Sequence, residues 1–184
     1  MPGKLIYLMG PSGSGKDSLL QLASDDLLAN GCRIARRVIT RSAESVGEDA
    51  FGVTAEAFAR MVEKGAFALH WQANGLSYGI PRQIDDWLAS GLNVLVNGSR
   101  EYLPVARQRY PDLLAVLLVV QPGMLRQRLL ARKRETAAQI DARLARNASF
   151  VEADDGCVTI DNTGRLEDAK TRLIDLVMDA RRRT

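Results

Sequence analysis

Histidine and cysteine are nearly missing from this chain, which has one His and two Cys in 184 residues. Cys32 and Cys157 lie far apart and His70 stands alone. That excludes a disulfide framework and a zinc site built from Cys and His. Cysteine usage of this kind suits a reduced compartment, and the expected location is the cytoplasm. Long apolar runs are missing too. The longest, Leu113 to Val120, falls far short of the roughly 20 residues a membrane helix needs. Met1 to Met9 reads straight into a first strand, with no charged region and apolar core of a leader ahead of it. Aromatics make up 5% of the residues, and the basic groups are short and interleaved with acids. The net charge of +3 therefore does not describe a nucleic-acid surface; an enzyme for phosphorylated small molecules accounts for it. Repeats, low-complexity segments and Gly/Ser linkers are also absent.

What remains is an ordinary composition, 46% hydrophobic and 26% charged, over a length that suits one compact domain. One stretch stands out from it. Lys4-Leu5-Ile6-Tyr7-Leu8-Met9 reads as a buried strand, and Ser18-Leu19-Leu20-Gln21-Leu22-Ala23 as the first turns of a helix. Between them runs Gly10-Pro11-Ser12-Gly13-Ser14-Gly15-Lys16-Asp17-Ser18. Strand, glycine-rich turn and helix, with G-x-x-x-x-G-K at the junction, is the setting of a phosphate-binding loop. Glycines let successive N–H groups turn toward one anion, and the helix N-terminus adds partial positive charge. Lys16 would meet the β- and γ-phosphates of ATP. Position 17 departs from the pattern, which places Ser or Thr where Asp17 stands.

Further apolar runs at Ile34–Ile39, Leu92–Val96, Leu114–Val120 and Cys157–Ile160 alternate with helix-period segments near 17–29, 99–109, 122–133, 138–150 and 165–182. Such alternation predicts an α/β fold with a parallel sheet covered on both faces. Pro122 suits the first turn of the helix after the fourth run. Residues 40–81 break the rhythm with a polar loop from Arg41 to Asp49, a short helix from Thr54 to Lys64, and the segments Phe67–Trp71 and Ser77–Gly79. They read as an inserted lobe in which Asn74-Gly75 turns between two strands. His70 and Trp71 read as packing, and Trp87 as core. Arg132-Lys133-Arg134-Glu135-Thr136 joins two helices and is rich in guanidinium.

GPSGSGK at 10–16, Ile39-Thr40-Arg41, Gly47-Glu48, Tyr78-Gly79 and Arg132 through Arg143 together resemble the guanylate kinase branch of the P-loop nucleoside monophosphate kinases, over nearly the whole chain. The resemblance implies one guanylate kinase-like domain with a parallel core (1–39, 82–131 and 153–184), an acceptor-binding lobe (about 40–81) and an Arg-rich lid (about 132–152). Arg132, Arg134 and Arg143 fall at lid-like positions, where guanidinium would offset charge on the transferring phosphoryl group. Arg128 and Arg146 read as helix-face charges beside them. Arg41 and Tyr78 match the family's acceptor-phosphate Arg and Tyr. Glu48 and Asp49 read either as supporting acids or as loop charges.

The departures narrow the acceptor. Counted from the shared Gly75, the family's base-reading glutamate falls at Leu69, its small hydroxyl at Ile80, and the acidic pair ending the next strand is replaced by Asn97-Gly98-Ser99-Arg100. A site stripped of its polar partners loses orders of discrimination for a base, so guanosine monophosphate is not the expected acceptor. Arg100, where an acid was due, suits a second phosphate. With GPSGSGKDSLL, Val38-Ile39-Thr40-Arg41 and Val94–Arg100, the chain closely resembles the ribose 1,5-bisphosphate phosphokinase family. That resemblance implies ATP as phosphoryl donor, Mg2+, a sugar phosphate as small-molecule partner, and the product 5-phosphoribosyl 1-diphosphate in bacterial phosphonate breakdown. A guanylate or other nucleoside monophosphate kinase is the alternative, and a non-catalytic guanylate kinase-like binding module a more distant one. Asp17 has two readings: it holds the Mg2+, since Asn97 stands where a strand-end Asp is usual, or it is a helix N-terminal acid while Ser18 or water serves the metal.

Overall fold

The structure is a computed structural model that describes residues 1–41, 49–133, 135–151 and 156–182. Gly47, Glu48 and Arg134 lie outside the described residues. Leu5-Ile6-Tyr7-Leu8-Met9 is apolar at every position and buried at every position, as a strand covered on both faces must be. In chain order the elements are β1 (Leu5–Met9), α1 (Lys16–Ala29), β2 (Cys32–Ile34), β3 (Val38–Ile39), β4 (Phe51–Gly52), α2 (Ala55–Glu63), β5 (Phe67–Ala73), β6 (Leu76–Pro81), α3 (Gln83–Ala89), β7 (Asn93–Asn97), α4 (Leu103–Arg109), β8 (Leu114–Val119), α5 (Pro122–Ala131), α6 (Ala137–Val151), β9 (Val158–Asp161) and α7 (Leu166–Arg182).

Five strands form a parallel sheet in the order β2-β7-β1-β8-β9. The pleat of β1 sends Ile6 and Leu8 to one face, where they meet Leu19, Ala23 and Leu27 of α1 and Leu173 and Val177 of α7. Leu5, Tyr7 and Met9 point to the other face, against Ile84 and Leu88 of α3 and Leu103 and Ala106 of α4. Each large side chain so buried contributes roughly 1.5–3 kcal/mol. Since β1 lies in the middle of the sheet, the loop leaving its C-terminal end opens at the centre of the molecule, where ligands of such sheets bind.

A second sheet, ordered β4-β3-β6-β5, is built from 38–81. Its hairpin turns at Asn74 (φ 52°) and Gly75 (φ 75°), two left-handed residues as a two-residue turn requires. Thr54 caps α2 by accepting from the Ala57 N–H at 3.1 Å. Phe58 of α2 then stacks on Phe67 of β5, with ring centroids 4.7 Å apart. A third small core of Leu125, Leu129 and Ile140 holds α5 against α6.

Two expectations need correcting. The run Ile34–Ile39 is not one strand. Ile34 ends β2 in the main sheet, while Val38 and Ile39 pair with β6 and β4 in the second. Arg36 and Arg37 interrupt the apolar run: exposed Arg36 turns outward to Asp49 (2.7 Å) and over the Phe51 ring (3.8 Å), so the chain changes sheets there. Asp49 is accordingly engaged with Arg36. His70 is not packed inside; it lies on the exposed side of β5.

Candidate active site

Gly13 and Gly15 hold left-handed φ angles of 91° and 92°, which other residues adopt only under strain. Space demands glycine as well. A Cβ at position 13 would lie 2.9 Å from Leu129 Cδ2, and one at position 15 would lie 2.6 Å from Asn162 Nδ2. Ser14 is buried beneath the loop, and its N–H donates to Pro11 O at 3.0 Å. Asn162, just after β9, braces the turn by donating to Ser14 O at 2.7 Å, and Arg128 of α5 donates to Asn162 O at 2.9 Å. Arg128 is therefore a strut of the loop, which corrects its reading as a helix-face charge. Lys16 folds back over the loop and donates to the carbonyls of Gly10 and Pro11. Asp17 occupies the first turn of α1, where the helix dipole favours an anion.

Two adjoining cavities open at this loop. The smaller, about 320 Å³, is lined by Lys16, Asp17 and Ser18 together with Arg37, Tyr78 and Arg132. The larger, about 530 Å³, is lined by Pro11, Ser12, Asn74, Arg100, Arg143 and Arg146 among others. Gly10, Ser12, Asn74 and Ser99 border both. The loop residues other than Ser14, with Tyr78, Arg100, Arg132 and Arg143, are thus brought to one region. Arg41 lines neither cavity. Arg146 does, from an exposed position on α6. Arg143 forms a 2.7 Å ion pair with Glu135.

Sequence reasoning missed Arg37 and undervalued Trp71. Trp71 packs in the main core, yet it also lines the smaller cavity. It lies directly across the hairpin from Tyr78, and their rings stack at 5.6 Å and 8°. A turn centred on 74 and 75 implies that pairing, so the signal was present. Leu69 and Ile80 are likewise register partners. At 1% and 0% exposure they belong to the core and line neither cavity.

The loop after β7 is pinned from below. The Tyr7 hydroxyl donates to Ser99 O at 2.9 Å and accepts from Ser99 N at 3.1 Å. Burial raises its pKa well above the usual phenol value, so it stays a neutral donor. A Cβ on Gly98 would land 2.1 Å from the Tyr7 ring. Replacing Tyr7 with phenylalanine removes both bonds and should lower stability by roughly 1–3 kcal/mol. Urea denaturation reads this as an earlier midpoint with an unchanged slope. Asn97, at the end of β7, donates from Nδ2 to Asp17 Oδ1 at 3.4 Å, while its own Oδ1 is buried without a hydrogen-bond partner. Cys32 is also buried, which pushes its thiol up to about 12 and leaves it inert.

No family model matches the chain. It is 63% identical over 175 residues to ribose 1,5-bisphosphate phosphokinase PhnN of Pseudomonas paraeruginosa, covering 95% of each chain. It is 59% identical over 177 residues to the protein of that name from Azotobacter vinelandii, covering 96% of this chain and 97% of the other. The protein of that name from Thiobacillus denitrificans is 48% identical over 179 residues, covering 97% and 94%. Among solved structures, the guanylate kinase from Anaplasma phagocytophilum superposes with a TM-score of 0.69 at 22% identity, covering 97% of this chain and 86% of that one. The guanylate kinase-like fold expected from the motifs is the fold observed.

Proposed function

The chain belongs to the ribose 1,5-bisphosphate phosphokinase family, and from that premise we propose that this site transfers the γ-phosphoryl group of ATP to ribose 1,5-bisphosphate, releasing ADP and 5-phosphoribosyl 1-diphosphate. The relatives' names supply the acceptor. The observation that carries the reading to this site is a cavity in which the phosphate-binding loop meets guanidinium and aromatic groups, while Leu69 and Ile80 stay in the core. The same reading places the reaction in phosphonate breakdown, in the cytoplasm.

An oxygen of the acceptor's 1-phosphate attacks the γ-phosphorus, the bond from that phosphorus to the β,γ-bridging oxygen breaks, and ADP departs with the electron pair. That attacking oxygen is ionised at neutral pH, so the step needs alignment and charge neutralisation but no general base. Lys16 exchanges the carbonyls of Gly10 and Pro11 for the β- and γ-phosphates. Arg132 and Arg143 offset the charge that builds on the transferring group. Tyr78 and Arg100 hold the acceptor, with Arg41 at the lobe's edge.

The residues present also fit Mg2+. Asp17 offers a carboxylate that accepts from the Asn97 side-chain amide, whose buried Oδ1 has no hydrogen-bond partner, and a hard cation takes such oxygens readily. Asp17 and Asn97 would hold the ion, which supplies charge neutralisation across the phosphates. Among the described residues no cluster of three His, Cys, Asp or Glu side chains could hold a metal, so phosphate oxygens and water would complete the shell.

ADP release against ribose 1,5-bisphosphate, ribose 5-phosphate, GMP, AMP and gluconate tests the proposal. We expect kcat/KM for the bisphosphate to exceed that for GMP by about 10⁴-fold, the rejection met when a site built to hold a polar group receives an acceptor lacking it, here the second phosphate. Comparable turnover on GMP would sink the acceptor assignment, and failure to bind ATP in a titration would point to a non-catalytic module.

A further inference from the structure

The smaller cavity has a wall that the phosphate-binding loop does not explain. Arg37 stands there, on the link between β2 and β3. Its guanidinium carbon lies 4.9 Å from the centroid of Tyr78 and 6.0 Å from that of Trp71. Its Nη1 donates to the backbone carbonyl of Asn97 at 3.1 Å. The platform beneath is itself fixed, because Trp71 stacks on Tyr78 and also on Tyr102 at 5.4 Å. A guanidinium held over aromatic rings and by one backbone bond loses little rotamer freedom on gripping a phosphate with two N–H groups.

The acceptor carries two phosphates, and they need separate cations. The reacting phosphate must lie beside the γ-phosphate, where Lys16 and Arg132 supply charge. Arg100 serves the acceptor from the adjoining cavity, but a phosphate laid against the Trp71–Tyr78 side of the smaller one would leave water for carbon and neutral oxygen unless a cation received it there. Among the described residues, Arg37 is the cation whose guanidinium lies over the Trp71 and Tyr78 rings. We infer that Arg37 binds the 5-phosphate of the acceptor and so sets the requirement for a bisphosphate. This assignment rests on the reaction proposed above.

Arg37→Met keeps an apolar stem over the rings, and Arg37→Lys keeps the charge without the planar fork. Steady-state kinetics with ribose 1,5-bisphosphate and with ribose 1-phosphate separate the possibilities, with melting curves to confirm folding. For Arg37→Met we expect KM for the bisphosphate to rise about 10- to 150-fold, the worth of hydrogen bonds to a charged group. KM for ATP should stay within about twofold, and kcat/KM for ribose 1-phosphate should match wild type within about threefold. Arg37→Lys should show the same selective loss at smaller size, and it carries the test if the Met variant fails to fold. An equal loss on both acceptors, or an unchanged KM for the bisphosphate, overturns the assignment while leaving the reaction intact. A wild-type enzyme that binds ATP but turns over neither acceptor overturns the reaction, and the Arg37 assignment with it.

Discussion

Lys16→Ala is expected to lower kcat for ADP release by about 10³-fold, the upper range for loss of one preorganised charge-stabilising donor. Lys16 projects from the first residue of α1 and its ammonium is held by the carbonyls of Gly10 and Pro11. It therefore sits at the mouth of the loop, where the proposed ATP phosphates would enter. The fold should not depend on it. Alanine is the best helix former. The turn is kept by the Ser14–Pro11 and Asn162–Ser14 bonds, neither of which involves position 16. The two carbonyls it leaves would be taken up by water. A coupled ADP assay beside a melting curve checks both halves, and activity within a few-fold of wild type would mean that ATP binds elsewhere.

Leu69→Glu has the second large effect, and it falls on stability. The alignment of motifs places a base-reading glutamate at this position in guanylate kinases, which invites the substitution as a route to GMP. The structure argues the reverse. Leu69 is 1% exposed, faces fully buried Ile80 across the hairpin, and shares a core cluster with Tyr7, Trp71 and Leu103. A carboxylate there would be buried without a partner, at a cost of about 3–5 kcal/mol. The expected result is a lower urea midpoint with no gain of GMP turnover. Wild-type stability together with new GMP turnover would show that position 69 faces the cavity after all.

Much of the architecture was legible because it is written in local pattern. β1, α1 and the hairpin turn at 74–75 each depend on a few neighbouring residues: an unbroken apolar run, a glycine-rich junction and two residues tolerant of positive φ. The strand after Leu92 and the helix after Pro122 appear within a residue or two of their expected bounds. The break at 34–39 was harder to see. Period-2 reading detects strand character but does not say which sheet a strand joins, and two arginines inside an apolar run look like mere exposure. Trp71 misled for a related reason, because a residue can be buried by one face of its ring and line a cavity with the other.

By itself the sequence determined that this protein carries a phosphate-binding loop with an irregular Asp17, inside an α/β chain that resembles guanylate kinases while lacking their base-reading groups. A loop of nine consecutive residues shapes its own backbone, so its chemistry is local. Only the tertiary structure decided which side chains share the cavity with that loop. Asn162 reaches Ser14 across 148 residues, and Arg37 reaches Asn97 across 60. Those meetings follow from strand order: β2 lies beside β7, and β9 lies one strand away from β1 across β8, all in a single parallel sheet. No spacing along the chain encodes that order, so the strut under the loop and the guanidinium on the Trp71–Tyr78 wall became visible once the strands were paired.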